Sequence, residues 1–527
     1  MERKNKNKKM EAKMKKIVLG VVVVSILHSI LFFAQDWGIS VVLFTVAMMG
    51  LIIYSLIDRN KVKNSKAFLL SIPILLISLS YGIFNNVFFS IMNFFVIIGL
   101  TSIMVIWAVY GEFNIGNIIT RSFLLIFRPI IFIPEAVKLI FSRDSERKNS
   151  EIKEKIVESK VFRQIILGLI ISIPLLIIIV GLLISADTVF AQILGPIKDF
   201  IFSIFNIKFW TSIYYRAIVA IVVAFYIMAF ICNILKTDTN KIKSTNVNGI
   251  RLQNITVNTV LTILNVVYFL FSIVQFTHLF MQIGVGGEFD YAVYARRGFF
   301  QLMIVTIINF IIILITNANK RETTKFTENY TKVMNLFLII FTVVMICSSF
   351  LRMYLYEQEF GYTFLRLMVY FILATELILT IPTVVYIFNK KIKLLKCYII
   401  VFSIMYVLVN FANVDKTIAR RNVDKYIADS KLGIEGKEAK IDFKYLKRLS
   451  IDSIPDIIRL YENTDDLNLK TQIKTHLNKI YNKKVLNKDK SNIQEINVQE
   501  EIGKNKLEEW INKENNKETV KIWNDSI

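Results

Sequence analysis

Cysteine, histidine and proline are scarce in this chain, and that scarcity removes whole classes of chemistry before any motif is sought. The three cysteines (Cys232, Cys347 and Cys397) lie in or beside apolar runs with no Cys-x-x-Cys spacing. Neither a disulfide framework nor a zinc site is indicated. Three histidines (His28, His278 and His476) are too few and too scattered for a metal centre, so no metal and no cofactor is expected. Seven prolines and nineteen glycines leave little room for low-complexity linkers. No internal repeat of convincing period is present, and no Ser/His/Asp or Cys/His set points to nucleophilic catalysis.

Apolar residues are abundant instead, at 54% of 527 positions, and they fall in long runs such as Val161–Ile184 and Phe299–Ile315. About 20 apolar residues cross the roughly 30 Å hydrocarbon core of a bilayer as a helix. A soluble core helix would show polar residues every third or fourth position. The runs predict an all-α fold, a polytopic transmembrane helical bundle of about eleven spans. The expected spans are Ile17–Ala34, Ile39–Ile57, Ala67–Phe84, Phe88–Tyr110, Val161–Ile184 and Ser212–Leu235, then Ile255–Phe280, Phe299–Ile315, Val333–Phe350, Tyr362–Phe388 and Leu394–Asn413. Residues 1–16 form a basic tail, with eight Lys and Arg before Ile17. The following apolar run is long and Phe33-Ala34-Gln35 is a poor cleavage site, so it reads as an uncleaved first helix.

Charge tests the alternation independently, because short cytoplasmic loops carry excess Lys and Arg. With the N-terminus inside, every segment assigned to the cytoplasm carries more Lys and Arg than any segment assigned outside. The expected location is a cell membrane, with a cytoplasmic N-terminus and an extracytoplasmic C-terminus. The net charge of +23 falls almost wholly before residue 414, on loops facing the cytoplasm. Anionic lipid headgroups are the partner this implies, and no nucleic-acid motif competes. Within residues 117–160, Arg121, Arg128, Glu135 and Lys138 share one helical face and Pro129 and Pro134 interrupt it, which predicts a cytoplasmic interfacial helix over 117–141. A re-entrant or spanning segment is the alternative. Ser142–Lys160 is then a charged loop. Residues 414–527 read as a small, soluble, helical C-terminal domain with a partly disordered tail, able to dock a protein partner.

Four polar clusters stand at the ends of the expected spans, and the alternation carries all four to the outer face. They are Asp187; then Asp290, Tyr294, Arg296 and Arg297 beside Glu288; then Arg352, Glu357, Glu359 and Arg366; and Asp415, Arg421 and Asp424 beside Arg420. Asp290, Tyr294 and Arg297 are spaced to share a helical face. Arg there can hold an anionic ligand through its planar fork. The plainer account is that Arg and Tyr at span ends snorkel and anchor, and that Asp187 caps a helix. Glu376 is separate, about midway along the tenth expected span. A carboxylate at that depth is protonated, paired, or open to a watery cavity, and Asn265 and Asn309 in other spans are candidate partners.

Several of these residues also carry a resemblance. YARRGFFQL (Tyr294–Leu302), EFGYTFLR (Glu359–Arg366) preceded by Arg352, SADTVF (Ser185–Phe190), NVDKTIARRNVDKYI (Asn413–Ile427) and IDFKYLKRLSIDSIPDI (Ile441–Ile457) resemble recurring motifs of bacterial integral membrane proteins catalogued as a domain of unknown function. The likeness covers about residues 160–460, and YARRGFF is its most specific part. Thr188 stands where a Pro after the Asp is expected. The resemblance implies an uncharacterised plasma or inner membrane protein with no established substrate or cofactor.

Three functions remain. The leading expectation is a non-enzymatic sensor, scaffold or envelope-assembly component with an outward-facing polar site. A proton- or cation-coupled transporter of a small, possibly anionic, solute is the alternative, although no inverted repeat or broken half-helix pair is evident. A membrane enzyme acting on lipid-linked substrate ranks last, because the first outer loop is only Gln35-Asp36-Trp37-Gly38.

Overall fold

The computed structural model describes residues 2–32, 37–58, 61–111, 121–122, 124–126, 129, 213–236, 254–275, 299–318, 324–432, 441–486 and 497–525. Every regular element among them is helical. Membrane-spanning candidates come first: α1 (Glu2–Phe32), α2 (Ile39–Asp58), a 3-10 turn (Ser65–Leu70) running into α3 (Ser71–Ile83), α4 (Val87–Tyr110), α5 (Ile213–Lys236), α6 (Asn254–Gln275), α7 (Phe299–Ala318), α8 (Lys325–Phe360), α9 (Phe364–Phe388) and α10 (Leu394–Phe411). Nine described helices are long and apolar enough to cross a membrane, and Val257–Ile273 within α6 is a shorter apolar helix. Ten of the eleven expected spans thus coincide with a helix. The fifth, Val161–Ile184, lies outside the described residues, as do most of 117–141 and all of Ser142–Lys160.

Local chemistry sets the helix ends. Asn86 caps α4 by accepting a hydrogen bond from Phe89 N at 3.1 Å, and Gly111 ends it at φ +73°. Thr324 caps α8 in the same way through Thr327 N. With 36 residues, α8 is about 54 Å long at 1.5 Å per residue. That exceeds the roughly 30 Å bilayer core, so the helix continues beyond the apolar stretch. Arg352, Glu357 and Glu359, expected in a loop between spans, therefore lie on α8 itself.

Two packing groups build the bundle. The first consists of α1 to α5 with α10, sharing a core that includes Ile17, Ile52, Ile74, Met104 and Met228. The second packs α6, α7 and α9 around α8, with Leu338, Ile313 and Met353 buried. Turns 84–86 and 361–363 meet the C-terminal helices at one end of the bundle, the module end. At the other end Lys390 pairs with Glu328 at 2.8 Å and Lys396 lies over the Trp107 ring.

The C-terminal helices are α11 (Val414–Leu432), α12 (Phe443–Leu446), α13 (Ile454–Asn463), α14 (Leu467–Tyr481) and α15 (Val498–Asp525). Pro455 sits in the first turn of α13, and Asp466 caps α14 through Asn468 N and Leu469 N. Leu460, Ile473, Leu477 and Leu507 are fully buried in a core of their own. The last forty residues supply more of that core than their Asn-, Lys- and Glu-rich composition suggests. Leu507, Trp510 and Ile511 recur on one face of α15 and pack into it.

Candidate functional site

At the module end, the polar residues of the recurring motifs act largely as joints. Gly361 holds φ +73°, and a Cβ there would meet Asn422 Oδ1 at 2.6 Å, so the turn needs glycine. Asn422, on α11, clamps that turn from both sides. Its Oδ1 accepts from Tyr362 N at 2.8 Å and its Nδ2 donates to Tyr362 O at 2.9 Å. Arg366 donates to Gly361 O and stacks on Tyr356 at 4.2 Å. Glu357 is buried and accepts from Tyr370 OH at 3.0 Å. Lys425 donates to Gln358 O, and Phe364 N donates to Tyr445 OH at 2.7 Å.

The candidate residues on α11 belong to the same construction. Asp415, 6% exposed, accepts from Ser450 N at 3.1 Å. Asp424 pairs with Arg459, whose other guanidinium nitrogen lies 3.7 Å from Asp456. Arg421 is exposed. Arg352 is buried at 6% exposure on the face of α8 that carries Met353 into the core. Glu359 lies in the last turn of α8. Asp187, Asp290, Tyr294, Arg296 and Arg297 fall outside the described residues.

Sequence reasoning missed the counterparts that complete the junction. Asn85 Nδ2 donates to Glu500 Oε2 at 2.6 Å, and Asn497 Nδ2 donates to Tyr81 O at 3.0 Å. Asp452, 2% exposed, accepts from Asn85 N at 3.5 Å. Burial, reinforced by Asp415 and Glu500 nearby, pushes the Asp452 carboxyl up to about 6. Burial also raises Asp456 above the usual carboxylate range. The Asn85-Asn86 pair between two apolar runs was the available signal. Two asparagines in so short a turn can cap a helix and still have an amide to spare.

Inside the second packing group, Glu376 is 3% exposed on α9. Thr306 Oγ1, on α7, donates to its Oε2 at 2.8 Å, while its Oε1 has no hydrogen-bond partner among the described residues. The expected partners are engaged elsewhere. Asn265 Nδ2 donates to Met334 O at 2.9 Å, and Asn309 bridges Tyr268 OH and Thr342 Oγ1, both at 2.9 Å. Thr306 and Asn309 are three apart on α7, so the Glu376 and Asn309 contacts adjoin along one helical face. Asn265 Oδ1 and Asn335 Oδ1 are also buried acceptors without partners. Towards the opposite end, Thr331 Oγ1 donates to Asn258 Oδ1 at 2.7 Å and Thr262 meets Tyr330 OH at 2.7 Å. Hydrogen-bonding side chains thus recur along α6, α7 and α8 over most of their length. Whichever protonation state Glu376 holds, Oε1 needs a proton acceptor, a donor or a cation that the described side chains do not provide. No group of three or more His, Cys, Asp or Glu suited to a metal ion occurs among the described residues.

Compared with known proteins, residues 71–460 match the model of a family described as "Domain of unknown function (DUF4153)". No curated protein and no solved structure matches the chain.

Proposed function

The chain belongs to that family, which assigns no activity, and from the geometry we propose that this multi-pass membrane protein is a proton- or cation-coupled transporter turning on Glu376. The observation that carries this reading is Oε1, an acceptor buried midway along α9 with no partner among the described residues, while Oε2 is held by Thr306. Intramembrane carboxylates are costly and tend to mark ion or proton routes. The polar side chains of α6 to α8 supply steps on either side of it. Reconstituted vesicles under an imposed proton or sodium gradient provide the test. Expected is a flux above that of empty vesicles, lost in Glu376→Gln. Wild-type flux equal to empty vesicles, or flux untouched by Glu376→Gln, overturns the reading.

A second reading, a sensor or scaffold, draws support from the junction. Asn85–Glu500, Asn497–Tyr81, Asn422–Tyr362 and Tyr445–Phe364 tie the C-terminal helices to the spans at four points. A partner gripping those helices would pull directly on the ends of α3 and α9. Photo-crosslinking from the exposed Leu467 is expected to give one discrete protein adduct under this reading, and a featureless smear would count against it.

For orientation, we place the module end outside the cell and the opposite end against anionic headgroups in the cytoplasm. Supporting this, Lys61, Lys63, Lys66, Lys325, Lys332, Lys390, Lys391, Lys393 and Lys396 gather at the opposite end. In a cysteine-free background, Asp424→Cys is expected to react with an impermeant thiol reagent added to intact cells. Reaction only after lysis would invert the topology.

A further inference from the structure

A cavity of about 490 Å³ opens among α1, α2, α4 and α5, in the first packing group, whereas Glu376 belongs to the second. Its wall is almost wholly apolar, with Phe44, Met48, Phe94, Ile98 and Phe230 prominent. A void of this size and character stays dry, because water needs two to four polar partners. Left empty, it would forfeit the dispersion contacts of every side chain around it. The surrounding medium is itself hydrocarbon, so the natural occupant is on hand.

Geometry narrows the occupant further. On α2 the lining runs from Val41 to Ile52, about 17 Å at 1.5 Å per residue. That is a little more than one leaflet's half of a roughly 30 Å core. A slot of this length and lining fits an acyl chain. At the module end of the cavity, Trp37 is half exposed and packs against Tyr81 and Phe94 at 6.0 and 6.1 Å. Such an aromatic rim suits the headgroup level. One turn below the end of α1, His28 packs on Phe32 and Phe44, and its buried Nδ1 has no hydrogen-bond partner. A donor or acceptor close to the ester region of a lipid could therefore be met there. Met48 and Met49 give this wall the side-chain freedom to follow a flexible chain.

We infer that this cavity is a binding site for one acyl chain of a bilayer phospholipid, entering from the leaflet at the module end with its ester groups beside Trp37 and His28. The full-length protein in vesicles doped with a phosphatidylglycerol carrying a mid-chain diazirine tests the assignment. After irradiation and digestion, label is expected on cavity residues of α2 and α4 such as Met48 and Ile98. Met48→Trp together with Thr101→Trp, which fill the space, should lower that label several-fold. Leu43→Trp, on the outward face of α2, should leave it unchanged. Label confined to outward-facing residues such as Leu43 and Phe95 in the wild type would overturn the proposal, and that readout does not depend on the variants folding. Equal cavity labelling in the filled variant would overturn it as well. So would displacement by a polyprenyl phosphate but not by unlabelled phosphatidylglycerol, because it would assign the space to a different lipid.

Discussion

The central polar networks of the two packing groups are completed to different degrees. In the first, Asn93 donates to Asn410 Oδ1 at 2.7 Å and to Ser80 Oγ at 3.0 Å, and accepts from Tyr406 OH at 2.7 Å. Asn410 closes the set by donating to Tyr406 O at 2.8 Å. None of these side-chain atoms is left without a partner. In the second, Glu376 Oε1, Asn265 Oδ1, Asn335 Oδ1 and Ser349 Oγ are all buried and unpartnered. A closed network fixes helices in register and asks nothing of its surroundings. An open one holds binding capacity in reserve. The closed set lies near the module ends of α3, α4 and α10 and Glu376 about midway along α9, so depth and completeness change together.

The sharpest way to break the comparison is to open the second network further. Thr306→Val removes the only described partner of Glu376, and vesicle flux is expected to fall to a small fraction of wild type with the fold retained. A flux like that of wild type would show that the carboxylate needs no positioning. Opening the closed network has a different signature. Asn93→Ala should destabilise the first group by about 2 kcal/mol, since three bonds of about 0.6–1 kcal/mol each are lost. Thermal unfolding in detergent would register it, with flux per folded molecule unchanged.

The junction extends the comparison to a carboxylate outside the membrane. Asp452 titrates near 6 in the folded protein and lower when exposed, so the native state holds its proton more tightly than the unfolded state. Its burial therefore costs nothing below the unfolded value and destabilises progressively as pH rises through about 6. Two units correspond to up to about 3 kcal/mol. The protection factors of α15 amides, which divide out the base-catalysed rise in intrinsic exchange, should be larger at pH 5 than at pH 7.5, and Asp452→Asn should flatten that dependence. A smaller effect is expected at Gly361. Gly361→Ala forces a Cβ into the left-handed region and against Asn422, for about 1–2 kcal/mol in the thermal midpoint. Smallest is Asp424→Asn at a half-exposed ion pair, where less than about 1 kcal/mol is expected in the same assay.

Much of this architecture is legible in the sequence because apolar runs respond to a single variable, the thickness of a bilayer. The order of the spans and the basic end of the bundle follow from the same reading, whereas the cap at Asn86 and the continuation of α8 to Phe360 do not. What residues do at the module end is harder to read. Asp415, Glu357 and Arg366 look like ligands when seen as charges near span ends, yet each meets a partner brought from elsewhere in the chain. Asn93 and Asn410 stood in plain view inside apolar runs, but their bond links residues 317 apart. Glu376 was identifiable from its depth, whereas its partner Thr306 was not, because threonine is common in spans and only packing selects one.

The great length of α8 has a mechanical consequence. One uninterrupted rod carries Glu328 at its base, Asn335 and Thr342 along its middle, and Arg352 and Glu357 at its top. Nothing along it can slip without carrying the rest, so a tilt at either membrane surface reaches the other undamped. A single residue inserted near Ile340 would turn the upper half by about 100° relative to the lower, parting Glu357 from Tyr370 while leaving Glu328 beside Lys390.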